Sequence, residues 1–172
     1  MNLYTLLSLR ASNGRPVRVG LIGAGKFGSM VLAQAQRIEG LHMVAVADLN
    51  VGKAKESLER VGWPKERYSA QSCGDAIKSG KTYVTSDASD LFGCDEIECI
   101  IEATGHPIAG TRHALGAIES NKHVVMVNVE ADAMCGPLIA ARAKAKNLVY
   151  SMAYGDQPAI ICELVDWARA CG

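Results

Sequence analysis

Aromatic residues make up only 5% of the 172-residue sequence, too few for the stacking platforms on which single-stranded nucleic acids are held. Charge of one sign is also lacking. Eighteen Lys and Arg balance eighteen Asp and Glu, which removes the electrostatic footprint of a nucleic-acid or anionic-membrane surface. Long hydrophobic runs are absent as well. The apolar opening Met1-Asn2-Leu3-Tyr4-Thr5-Leu6-Leu7-Ser8-Leu9 has no basic residue ahead of it and is followed by Arg10, so it reads as neither a signal peptide nor a membrane span. The cysteines at 73, 94, 99, 135, 162 and 171 include no C-x-x-C pair and no histidine at zinc-ligand spacing; they read as reduced thiols of a cytoplasmic protein, with no metal site. Leu3, Leu6, Leu7 and Arg10 share a helical face. Residues 1–16 are therefore expected to form a leader helix and turn docked on the domain, with a partner-binding arm as the alternative use.

What is present is a 49% hydrophobic chain, enough for one domain with a sizeable core. Its organising stretch is Val17-Arg18-Val19-Gly20-Leu21-Ile22-Gly23-Ala24-Gly25-Lys26-Phe27-Gly28, which reads as strand, tight turn and helix start. Gly23, Gly25 and Gly28 have the G-x-G-x-x-G spacing. Gly23 permits the turn, Gly25 lets a pyrophosphate approach the backbone and helix dipole, and Gly28 lets the helix lie close on the strand. The next strand-like run, 42–47, ends in Asp48, twenty residues beyond Gly28 and near the offset expected of a carboxylate that accepts adenosine ribose hydroxyls. Strand, glycines, helix, strand and acid in order predict dinucleotide binding.

Along the rest of the chain, strands are predicted at 83–85, 97–102, 124–128 and 148–150. Helices are predicted at 26–39, 50–61, from Ser72 to Lys78, at 108–120, from Gly136 to Lys146 and at 159–170. The excursion between Gly62 and Gly80 reads as a surface insertion, with a functional lid as the alternative. Strands alternating with helices predict an α/β domain over 17–172, a doubly wound parallel (Rossmann) sheet in the order 3-2-1-4-5-6.

Ligands bind such sheets outside the carboxyl ends of the strands, where the order reverses. That rule selects the glycine loop with Lys26 and Phe27, Asp48, the 103–107 turn, the segment after Asn128 and the 153–158 loop. Thr104 and Gly105 are expected to contact the nicotinamide side of a cofactor, one by its hydroxyl and one by permitting close approach. His106 is a candidate proton-handling group, with a solvated helix-start histidine as the plainer reading. Glu130 and Asp132 are candidates for orienting substrate hydroxyls or holding a cation, and Asp156 is a candidate catalytic carboxylate, with favouring and capping helix starts as the plainer readings. His42, His113 and His123 are given no chemistry. Asp48 would repel a 2′-phosphate, which favours NAD over NADP, although Lys53 or Lys55 can compensate.

These residues also carry a resemblance. Val17 to Gly28, Glu102-Ala103-Thr104-Gly105 and Val124 to Glu130 resemble the NAD(P)-binding domain of homoserine dehydrogenases and the related SAF-domain oxidoreductases. Val127-Asn128-Val129-Glu130-Ala131-Asp132 and Ala153-Tyr154-Gly155-Asp156-Gln157-Pro158 look like the second group, which includes an enzyme with 1-deoxy-D-xylulose 5-phosphate reductoisomerase-like activity in isoprenoid precursor synthesis. The resemblance implies an NAD(P)-dependent oxidoreductase acting on a small carbonyl or hydroxyl substrate, with Asn128 beside the reacting ring. It also implies a downstream domain for substrate and self-association, so that 172 residues would be a cofactor-binding fragment of a homo-oligomer. Homoserine dehydrogenase proper is the alternative; Val129 stands where that family places a lysine. A dinucleotide-binding module without catalysis is the second alternative.

Overall fold

In a computed structural model, which describes residues 2–153 and 157–171, the polypeptide alternates strands and helices from Val17 onward. The strands are β1 (Val17–Ile22), β2 (Leu41–Ala47), β3 (Tyr83–Thr85), β4 (Cys99–Glu102), β5 (His123–Met126) and β6 (Tyr150–Met152), and the sheet runs β3-β2-β1-β4-β5-β6. Every pairing is parallel. The predicted order is the observed one. It follows from strands too apolar to leave either face in water, which forces a helix onto each face between successive strands.

The helices are α1 (Leu3–Ser12), α2 (Lys26–Ala35), α3 (Val51–Arg60), α4 (Cys73–Ser79), α5 (Ser89–Phe92), α6 (Pro107–Glu119), α7 (Val129–Ala145) and α8 (Gln157–Cys171). On one face, Val19, Leu21, Met43 and Val46 pack with Leu32 of α2 and Leu58 of α3. On the other, Ile100, Val124 and Met126 pack with Ala114 and Ile118 of α6 and Ile139 of α7. No helix among the described residues is long and apolar enough to cross a membrane.

Several elements differ from those expected of the sequence. The first helix ends at Ala35 rather than residue 39; Gly40 instead lies in the turn before β2, where a Cβ would collide with the Leu7 carbonyl. That close approach, with the Arg10–Glu98 ion pair at 2.5 Å, seats the leader helix on the amino-terminal edge of the sheet. None of its residues is buried, and Leu3, Leu6 and Leu9 face solvent. The 62–80 excursion is no surface insertion. Trp63, Tyr68, Ala70 and Ala76 are all buried in the two cores, and Ala70 bridges to Tyr83 beside β3. β4 and β5 are shorter than read, and the sixth strand lies two residues later. The seventh helix begins at Val129, well before Gly136, and runs through Pro137. Gly136 and Pro137 look like a helix start, since proline suits a first turn; here the proline is carried inside.

Candidate dinucleotide-binding site

The carboxyl ends of β1 and β2 meet at the glycine loop. Gly23 has φ +94°, a backbone conformation that side-chain-bearing residues rarely adopt, and a Cβ there would lie 2.8 Å from the backbone of Ala103. A Cβ on Gly28 would strike the Gly23 carbonyl oxygen, so helix and strand are in backbone contact there. Gly25 is different. Its φ is an ordinary −68°, and a Cβ would meet no atom within 4 Å. Neither strain nor packing with the chain requires glycine at 25; what glycine provides there is room for something to approach the backbone.

Gly25 is also the N-cap of α2, and no side chain caps that helix. An uncapped start leaves the first N–H groups and the positive end of the helix dipole available to an anion. α1, α3, α4, α6 and α7 all begin with a side chain accepting a backbone N–H, from Asn2, Asn50, Ser72, His106 and Asn128 respectively. The first turn of α2 carries no acidic residue and begins with Lys26, which is exposed together with Phe27.

Asp48 follows β2 directly. One carboxylate oxygen accepts the Ala24 N–H at 2.9 Å and the other accepts the Asn50 N–H at 2.9 Å, while its own N–H donates to the Thr85 carbonyl at 3.0 Å. The carboxylate is thus locked beside the glycine loop, and each oxygen keeps further acceptor capacity. Glycine loop, α2 start and Asp48 together set free N–H groups, the positive end of a helix and a fixed acceptor side by side, a chemistry suited to an anion flanked by hydroxyls.

Across the switch point, the turn after β4 is knit by side chains. The Thr104 hydroxyl donates to Glu102 Oε1 at 2.5 Å and accepts from the Asn128 amide at 3.3 Å and the His106 N–H at 3.4 Å. The Asn128 amide nitrogen also donates to the His106 carbonyl at 3.1 Å, and its oxygen accepts the Ala131 N–H at 3.1 Å. Asn128 is buried and spends both ends of its amide within the protein. It is a brace between α6 and α7, and Gly110 is small because a Cβ would collide with it. Gly105, at φ +69°, is exposed with no atom within 4 Å of a Cβ.

His106 Nδ1 accepts the Ala109 N–H at 3.3 Å and so caps α6. Glu130 and Asp132 lie in the first turn of α7, where negative charge suits the dipole. Glu130 is exposed, whereas Asp132 accepts from the Tyr150 hydroxyl at 2.5 Å. Burial, and then this bond to a carboxylate, push the Tyr150 phenol well above its ordinary range. Asp156 lies outside the described residues. Glu102, which has no role in the sequence beyond the resemblance, and His113, given no chemistry there, come together: His113 Nδ1 stands 3.1 Å from Glu102 Oε1. The available signal was an acid closing an apolar strand.

No family model matches the chain. Homoserine dehydrogenase of Pseudomonas aeruginosa is 28% identical over 137 residues, covering 78% of this chain and 28% of the relative. A solved homoserine dehydrogenase from Thiobacillus denitrificans superposes with a TM-score of 0.63 at 25% identity, over 80% of this chain and 29% of that one. Myo-inositol dehydrogenase from Lactobacillus casei, solved with NAD(H) and myo-inositol, gives 0.63 at 18% identity over 83% of this chain and 38% of that one, a likeness of fold alone. The chain therefore spans less than a third of the length of the homoserine dehydrogenases it matches. Its fold is a homoserine dehydrogenase-like NAD(P)-binding oxidoreductase fold.

Proposed function

On this fold, we propose that the chain holds the dinucleotide of an NAD(P)-dependent oxidoreductase that acts on a small carbonyl or hydroxyl substrate. The observation that carries the reading is the start of α2, which is open at Gly25, uncapped, and flanked by the fixed carboxylate of Asp48. Pyrophosphate oxygens would take the free N–H groups of the loop and helix start, with Lys26 adding positive charge. Asp48 would accept the adenosine ribose hydroxyls. A bound nicotinamide would supply or receive the hydride, and the Thr104–Gly105 turn would frame it. Gly105 would permit close approach. The Thr104 hydroxyl is already engaged, so Thr104 would act through the shape of the turn. Asp48 favours NAD over NADP, because a 2′-phosphate would bring two like charges together.

Homoserine as substrate is supported by the names of the Pseudomonas and Thiobacillus proteins, and Val129 counts against it. A reductoisomerase-like reaction is supported by the likeness of 127–132 and 153–158 to SAF-domain enzymes. A cytoplasmic homo-oligomer is part of the same proposal. Titration with NADH and with NADPH by fluorescence tests it: micromolar binding with NADH preferred is expected, and loss of that binding in Gly25→Val with an unchanged melting temperature would locate it at α2. No binding of either coenzyme would overturn it. Reduction of NAD in the presence of homoserine then tests that substrate.

A further inference from the structure

Glu102 closes β4 with its side chain fully buried on the face that α6 covers. Two residues earlier on that face stands Ile100, equally buried and fully apolar. An aliphatic residue would fill the place of Glu102 at no electrostatic cost, whereas withdrawing a carboxylate from water costs several kcal/mol unless donors repay it. Two of the three donors that meet it come from the turn directly after it. The Thr104 hydroxyl at 2.5 Å, the Thr104 N–H at 3.4 Å and His113 Nδ1 at 3.1 Å all converge on Oε1, while Oε2 has no partner among the described residues. A carboxylate engaged by one oxygen, and chiefly with one turn, contributes little to the general core. It acts on the turn.

That turn is a node. Thr104 joins Glu102 to the start of α6 through the His106 N–H and to the start of α7 through Asn128. The adenosine side of the site, Gly25 and Asp48, has no hydrogen bond to this network. His113, half-buried and tilted against Phe92 with ring centroids 6.4 Å apart, holds the carboxylate from behind.

We propose that Glu102 is a positioning residue for the nicotinamide half of the dinucleotide, acting through the Thr104 hydroxyl to fix the 103–106 turn. The proposal rests on the dinucleotide reading above. Its test compares NADH with ADP-ribose, which keeps the adenosine, pyrophosphate and second ribose but lacks the nicotinamide, by calorimetry on the intact protein. Glu102→Leu is expected to weaken NADH about tenfold, the scale of one lost charge-assisted hydrogen bond, and to leave ADP-ribose within about twofold. Thr104→Val should do the same, and the double variant should be no weaker than either single, because both remove one interaction. Glu102→Gln keeps an oxygen that accepts from Thr104 and should restore most of the NADH affinity.

ADP-ribose binding doubles as the control for folding. Equal weakening of both ligands, unchanged NADH binding, or additive single effects would each overturn the proposal. If wild-type protein binds neither ligand, the dinucleotide reading itself falls and the proposal falls with it. ADP-ribose binding that survives every variant alongside unmoved NADH binding would overturn the proposal alone.

Discussion

At the start of α2, beyond the carboxyl end of β1, backbone N–H groups are left without a side-chain cap and a glycine leaves open space. Around the ends of β4 and β5, side chains spend themselves on one another: Asn128 uses both ends of its amide, and the Thr104 hydroxyl has three partners. The first side presents groups to a visitor; the second is a rigid frame. If the proposed dinucleotide binds, the glycine loop would supply most of the affinity and the far turn the geometry, so that substitutions at Gly25 and Asn128 should separate binding from stability.

The largest effect expected tests the loop from within. Gly28→Ala puts a methyl group against the Gly23 carbonyl oxygen and should cost about 3 kcal/mol or more in chemical denaturation, as overpacking against backbone does. Gly25→Ala, three residues away in open space, should change stability by less than about 0.5 kcal/mol while weakening NADH at least about tenfold. Equal stability losses at the two glycines would erase the contrast. On the far side, Asn128→Ala should cost about 2–3 kcal/mol, since it removes the α7 cap and leaves buried groups of the turn unpaired. Asp48→Ala should cost less stability, about 1 kcal/mol, for the N–H bonds it loses, yet weaken NADH more than Asn128→Gln does.

How much of this could be read in advance follows the same division. Gly23, Gly25 and Gly28 are legible because a backbone loop is specified by residues near one another in sequence, and Asp48 because it closes the next apolar strand. The strand order was legible because apolar strands alternating with helices leave few topologies. The frame was not legible. Thr104, Asn128 and Glu102 come from different elements, and only the folded chain shows that their polar atoms consume one another. His113 lies eleven residues from Glu102 and meets it only because α6 folds back over β4. Trp63 and Tyr68 vanish into the core from a segment whose polar neighbours suggested a surface.

The smallest effect lies outside both regions. His42, near the amino-terminal edge, donates from Nε2 to the Lys81 carbonyl at 2.8 Å, and burial is the main cause holding its pKa below the ordinary value, with Arg18 and Arg67 adding to it. A histidine with a depressed pKa in the fold binds its proton more readily unfolded, so its contribution is fully present above about pH 6.5 and is lost as pH falls toward the folded pKa. His42→Gln should therefore flatten the acid limb of a stability–pH curve without moving NADH affinity at pH 8. A shift in that affinity would show that the amino-terminal edge communicates with the site.

The Ala70 bridge has a consequence for assembly. By pairing with Tyr83 it lays the molecule's own backbone along β3 and occupies part of that border of the sheet. The opposite border, β6, is only three residues long, too brief to template an incoming extended peptide. Lateral growth by strand addition is thus discouraged at both margins of this sheet.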